Sequence, residues 1–174
     1  MLNGRLPDLK NEQTHRAVLL LGSNLGDRLH HLEAALDAIT HTAGQVEKTS
    51  AVYETQPWGV TGQPNYLNAA LILRTHLSPA DLLNELKAIE QREGRTDRKK
   101  YASRTLDIDI LFYDDLVLNL KELTIPHPKL HLRRFALVPL DEIVPGLQHP
   151  VLNKSVRQLV AACEDHLDVK LFEP

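Results

Sequence analysis

Five apolar residues, Ala17 to Leu21, run without a break up to Gly22, the pattern of a strand buried on both faces. The polar, glycine-bearing stretch 22–27 then makes a turn in which Asn24 or Asp27 can cap the next element. Leu29, Leu32, Leu36 and Ile39 recur at helical spacing, and Gly44 stops that helix. β-Branched residues and Tyr53 mark 46–55 as a strand, 56–65 is a Gly- and Pro-rich loop, and 66–75 returns as a strand. Ser78, Pro79 and Asp81 open a second helix as N-cap, first helical residue and closure of a capping box. Its apolar face is Leu82, Leu83, Leu86 and Ile89, and Gly94 ends it.

The stretch 104–113 alternates instead. Leu106, Ile108, Ile110 and Phe112 fall on one face of a strand, Asp107, Asp109 and Leu111 on the other. Asp114-Asp115 makes a turn, 116–118 and 123–125 read as short strand pieces, 135–143 is apolar, and 155–167 is a last amphipathic helix capped by Ser155. Strand, helix, strand, strand, helix, strand, then a hairpin and C-terminal helices, is an α+β chain with a ferredoxin-like core (βαββαβ). The expected sheet is mainly antiparallel and covered by helices. With no internal repeat or linker, residues 16–174 are expected to form a single domain, and the aperiodic stretch 1–15 a loosely ordered extension.

Composition narrows the class. The 174 residues are 43% hydrophobic and 25% charged, enough for a core without staples. A formal net charge of -3 argues against a general nucleic-acid binder. No apolar run approaches the ~20 residues of a membrane span and the N-terminus lacks a signal-peptide core, so the expected location is cytoplasmic and without a membrane partner. The single cysteine, Cys163, excludes an internal disulfide and a cysteine-built metal site, and among Leu159, Val160, Ala161 and Ala162 it reads as a buried helix residue.

The chemistry gathers around the acidic strand. Asp107 and Asp109 share a face with Cα atoms roughly 6.5 Å apart, close enough to hold one hard cation or bridge two. Read alone, the pair could equally be solvated acids on an edge strand. Just upstream lie Arg92, Arg95, Arg98, Lys99, Lys100 and Arg104, a cationic segment suited to a polyphosphate arriving with magnesium, which points to phosphoryl transfer. Gly22 and Gly26 match neither a dinucleotide fingerprint nor a P-loop. Tyr66 and Asn68 share a strand face, where Asn68 could read the edge of a flat heterocycle or bond neighbouring backbone. Trp58 is either a binding-loop residue or a packing anchor. Glu90, at the edge of a buried stripe, needs a ligand hydroxyl, an arginine or water as partner. His127, between Pro126 and Pro128 and followed by Arg133, Arg134 and Phe135, is a positioned donor or a surface histidine.

Taken in order, these pieces resemble the 6-hydroxymethyl-7,8-dihydropterin pyrophosphokinases of folate synthesis. The matching stretches are 21–27, 53–55, 63–70, 90–95 and the Arg104-Thr105-Leu106-Asp107-Ile108-Asp109-Ile110 run, then Pro126-His127 with Arg133 and Phe135. The resemblance implies attack of the pterin hydroxymethyl oxygen on the β-phosphorus of ATP, releasing AMP. It implies Mg2+, two ions held by Asp107 and Asp109, with Arg95 and Arg104 as phosphate clamps. His127 and Arg133 would meet the triphosphate, and Glu90, Ile110 and Thr124 the nucleoside. Tyr66 and Phe135 would sandwich the pterin, whose polar edge would be satisfied by Thr55, Asn68 and backbone near Trp58. The expected protein is a monomer, with a dimer left open. Three features depart from the pattern: Tyr101 stands where many relatives have tryptophan, 96–100 is one residue shorter than in some relatives and orders its charges differently, and Glu122 sits where some relatives offer an arginine. Lys87 has no assigned role.

Overall fold

The computed structural model describes residues 13–94 and 102–174. Residues 1–12, most of the expected extension, lie outside the described residues, as do 95–101 with Arg95, Arg98, Lys99, Lys100 and Tyr101; His15 already opens the first strand. The elements are β1 (His15–Ser23), α1 (Arg28–Thr42), β2 (Gln45–Thr49), β3 (Tyr53–Thr55), β4 (Tyr66–Thr75), α2 (Pro79–Arg92) and β5 (Asp107–Tyr113). There follow β6 (Leu118–Asn119), β7 (Thr124–Ile125), a 3-10 turn (Leu130–Leu132), α3 (Arg134–Ile143), α4 (Val156–Ala162) and β8 (Val169–Leu171). The main sheet has the order β5-β1-β4-β3-β8 with β2 also on β4, every pairing antiparallel, and β6 with β7 forms the added hairpin. This is the α+β, ferredoxin-like arrangement that the element order implies.

β1 is an inner strand because both its faces are covered. On one, Leu32, Ala35 and Ile39 of α1 and Leu82, Leu86 and Ile89 of α2 pack on Ala17, Leu19, Leu21, Leu71 and Leu73. On the other, Leu137 and Leu140 of α3 and Val156 and Leu159 of α4 pack on Val18, Leu20, Ala70 and Ile72. Each buried Leu, Ile or Val among them contributes about 1.5–3 kcal/mol through burial, which is why the unbroken run of β1 tolerates no polar interruption. The second face also holds a cleft, at the end of the sheet where β1 carries Gly22 and β5 carries Asp107.

Several local expectations change. The alternation in β5 fails at Phe112: Val18 pairs with Phe112 but Leu19 with Ile110, so Leu111 is the extra residue of a bulge. Leu111 and Phe112 therefore both enter the second core, and Tyr113 enters the first. The segment 46–55 is two strands, parted where Ser50 donates its N–H to the Ala70 carbonyl. The expected box at α2 is only half formed, because Asp81 Oδ2 accepts from the Ser78 hydroxyl rather than from backbone; a complete box sits at α4, between Ser155 and Gln158. The last helix stops at Ala162, not at residue 167, with Cys163 as its half-buried cap residue. Asp165 turns away to accept the Arg134 N–H at the start of α3, and the chain continues into β8, a three-residue edge strand too short to carry a readable pattern. No helix of the described residues is long and apolar enough to cross a membrane.

Candidate active site

Strand register builds the floor of the cleft. Gly22 pairs with Asp107 on one side and Asn68 on the other, and Asn68 pairs with Tyr53; one step along, Leu20 stands between Asp109 and Ala70, and Tyr66 pairs with Thr55. Directly paired residues share a face, so Asp107, Asp109, Asn68, Tyr66 and Thr55 all project to one side. The missing side chain of Gly22 opens the space between them: a Cβ there would lie 2.8 Å from Asn68 Oδ1 and 3.6 Å from the Tyr66 ring. Asn68 is 3% exposed and donates through Nδ2 to Thr55 Oγ1 at 2.7 Å, which fixes its amide.

Loops close the walls. Asn24, 1% exposed, accepts the Arg104 N–H through Oδ1 at 2.7 Å while its own N–H donates to the Arg104 carbonyl, and its Nδ2 donates to the Pro64 carbonyl and to Ser103 Oγ. Arg28 adds hydrogen bonds to Glu54 and to the Asn65 carbonyl. Asp27 alone caps α1, through the His30 N–H, which releases Asn24 for this clamp. With its backbone so held, Arg104 reaches Asp107 Oδ1 at 2.7 Å. Across the cleft the bulge has a use: the carbonyl of Leu111 accepts the His127 N–H. The Lys129 N–H lies 3.2 Å from His127 Nδ1, and Arg133 Nη1, which can only donate, lies 3.3 Å from Nε2. The Arg133 guanidinium lies 4.9 Å from the Trp58 ring centre and 5.6 Å from that of Phe135, and the Lys129 ammonium is 5.7 Å from Trp58.

The result is a cleft of about 340 Å³, the size of a small-molecule site. Burial, then the charge of Asp107, pushes the Asp109 carboxyl up to about 7, although Arg133 at 3.9 Å and Arg104 pull the other way. Burial and Arg133 push His127 down to about 4, so it is neutral at physiological pH. Burial draws Arg104 down, but the Asp107 carboxylate more than offsets that and the net shift is upward. Arg104 Nε and Arg133 Nε are both buried without a hydrogen-bond partner among the described residues. Each such donor costs about 1–3 kcal/mol. Underused guanidinium donors beside two carboxylates suit an anion that brings a cation with it.

Of the expected residues, Thr55, Trp58, Tyr66, Asn68, Arg104, Asp107, Asp109, His127, Arg133 and Phe135 line this one cleft. Arg95 lies outside the described residues. Glu90, Ile110 and Thr124 are not among the lining residues. Glu90 is 5% exposed and accepts the Ile108 N–H at 2.8 Å, Ile110 is in the first core, and Thr124 bonds Asn119 in the hairpin. The divergent Glu122 meets Lys87 at 3.5 Å on the surface, which gives both an ordinary exposed partner. Lys129, Gln56 and Gln63 also line the cleft and were not foreseen; Lys129 had one signal, its place two residues after His127. Among the described residues no three His, Cys, Asp or Glu side chains converge as a metal cage. A two-carboxylate site therefore fits a hard cation that takes its remaining oxygens from a ligand and water.

Fold and cleft together define a small α+β domain whose cleft sets two carboxylates beside arginine donors. The family model for 7,8-dihydro-6-hydroxymethylpterin-pyrophosphokinase (HPPK) matches residues 18–145. The chain is 43% identical over 150 residues to 2-amino-4-hydroxy-6-hydroxymethyldihydropteridine pyrophosphokinase of Synechocystis sp., covering 86% of this chain and 76% of that protein. It is 40% identical over 156 residues to the Haemophilus influenzae protein of the same name, covering 89% and 97%. The chain belongs to the 7,8-dihydro-6-hydroxymethylpterin-pyrophosphokinase family. Its fold is similar to that of the Plasmodium falciparum HPPK-DHPS protein solved with pteroate, with a TM-score of 0.73 and 20% identity. That likeness covers 86% of this chain but 42% of the solved one, so the chain spans less than half the length of that structural relative.

Proposed function

We propose that this chain transfers pyrophosphate from ATP to the hydroxymethyl group of 6-hydroxymethyl-7,8-dihydropterin, and that Asp107 and Asp109 hold the magnesium for it. The carrying observation is that this carboxylate pair shares one sheet face with Asn68 and Tyr66, two strands away, and Thr55, three strands away, with Gly22 as the gap between. Tyr66 and Phe135 offer aromatic surface to a flat ring, and the edge of the Asn68 amide not used by Thr55 meets the pterin's donors and acceptors. Arg104 and Arg133 supply their underused donors to the phosphates, and His127 meets them as a neutral ring. The hydroxymethyl oxygen forms a bond to the β-phosphorus as the bond from that phosphorus to the oxygen bridging it to the α-phosphate breaks. AMP leaves with the bridging electron pair, and the hydroxyl proton passes to solvent. When bound, magnesium, two ions by the family resemblance, neutralises phosphate charge and aligns the reacting oxygens. No general base is required, since a loose transition state depends on positioning and neutralised charge. Glu90 serves from behind, its carboxylate holding the Ile108 N–H between the two aspartates.

The deciding assay incubates the protein with ATP, magnesium and the reduced hydroxymethylpterin. AMP formed only when all are present supports the reading; ADP would point to transfer of a single phosphoryl group, and no nucleotide binding at all to a non-enzymatic module. Gly22→Ala supplies a sharper check on the pterin side. Its Cβ would displace an amide fixed by Thr55, so KM for the pterin rises about tenfold, equivalent to one hydrogen bond, while KM for ATP stays unchanged. Equal effects on both substrates would contradict the pocket assignment.

A further inference from the structure

Trp58 comes from the loop between β3 and β4 and Arg133 from the residue before α3, yet the guanidinium lies 4.9 Å from the indole centre, closer than to Phe135 at 5.6 Å. Lys129 reaches the same indole at 5.7 Å. Arg133 otherwise has Nη1 3.3 Å from His127 Nε2, a weak 3.9 Å approach to Asp109, and a buried Nε with no hydrogen-bond partner among the described residues. Its side chain is only 16% exposed, and the two rings flank the guanidinium that the His127 contact anchors at one nitrogen. Cations over desolvated aromatic faces gain more than exposed ones, and the planar guanidinium suits such stacking better than an ammonium does. We propose that Trp58 is a positioning residue for the phosphate side of the reaction: it holds Arg133, and secondarily Lys129, aimed at the anion, in addition to bordering the ring pocket. The loop between β3 and β4, which borders the pterin, thereby sets the geometry of a phosphate contact. This rests on the reading of the cleft as an ATP and pterin site.

The test uses the full chain and a non-hydrolysable ATP analogue with magnesium, followed by calorimetry. Trp58→Leu keeps the bulk but removes the π face, and it weakens analogue binding about five- to thirtyfold, that is about 1–2 kcal/mol at 1.4 kcal/mol per factor of ten. Trp58→Phe restores most of the loss, and in an Arg133→Ala background Trp58→Leu adds less than twofold. Trp58 is the single tryptophan, so its emission also reports the contact directly: it changes when the analogue binds to the wild type and does not in Arg133→Ala. Wild-type affinity in Trp58→Leu, or equal losses in Trp58→Leu with and without Arg133, overturns the proposal. Absence of analogue binding to the wild-type protein would instead overturn the underlying ATP reading, so the two failures are distinct.

Discussion

Asp109→Asn lowers kcat by at least about 10³-fold and at the same time raises the melting temperature of the metal-free protein at pH 8. On the proposed reading, the loss follows from removing one of two carboxylates that would hold magnesium on a reaction driven by charge neutralisation. The gain follows from the environment of that group. Burial and Asp107 raise its pKa to about 7, well above the ordinary 3.8. In the metal-free protein the folded state therefore retains a proton that the unfolded chain releases, and stability falls as pH rises from about 4 to about 7. Above that range the folded protein carries an unfavourable charge at Asp109, which Asn abolishes; near pH 4 and below, the advantage of Asn disappears. Magnesium with nucleotide reverses the order by favouring the charged carboxylate. Thermal melts of both proteins across pH, with and without magnesium and nucleotide, check this alongside turnover. A variant that keeps wild-type kcat, or that melts lower at pH 8, refutes the charge-pair account. Asp107→Asn should resemble it in activity but not in stability, because Asp107 already has Arg104 at 2.7 Å.

What the sequence made legible was mostly a matter of period. The apolar run of β1, the helical spacings of α1 and α2 and the alternation over 106–110 each express burial, which acts on every residue of an element and so leaves a repeated mark. The same-face placement of Asp107 and Asp109 needs only that period. What was not legible depends on pairing with a partner far along the chain. The bulge at Leu111 is set by its register against Val18 and Leu19, and it reverses Phe112 and Tyr113 with no local signature. β8 exists because β3 offers an edge, and Asp165 ends the last helix by serving α3.

The site divides along the same line. Residues on strands could be assigned to one face, but the side chains that hold the loops could not. Asn24 looked like a candidate cap, yet its four hydrogen bonds reach Pro64, Ser103 and both polar groups of the Arg104 backbone, 40 to 80 positions away. Glu90 was expected to need a ligand hydroxyl, an arginine or water, and instead of lying in the cleft it accepts from the backbone of β5. Both are buried polar groups whose partners only the tertiary fold supplies, and an amino-acid pattern records the need without the address.

Arg104 is where those hidden contacts bear on chemistry, and Arg104→Ala lowers kcat/KM for ATP by about 10³-fold or more, the range seen when a cation facing a transferred phosphoryl group is removed. The clamp from Asn24 fixes the backbone on both its polar groups, so little freedom remains to be lost when the phosphates arrive. On the proposed reading the guanidinium is shared between Asp107 and a phosphate: Nη1 meets Asp107 while the buried Nε has no hydrogen-bond partner among the described residues. Arg104→Lys recovers only part of the activity, about tenfold over Ala, because an ammonium replaces the charge but cannot bond Asp107 and a phosphate oxygen through one rigid fork. The discriminating measurement is kcat at saturating ATP. If Arg104 merely balanced Asp107, Lys would restore kcat fully and Ala would chiefly weaken magnesium binding, correctable by excess magnesium. If it grips the phosphate as the bond to AMP breaks, excess magnesium leaves the kcat of Arg104→Ala depressed.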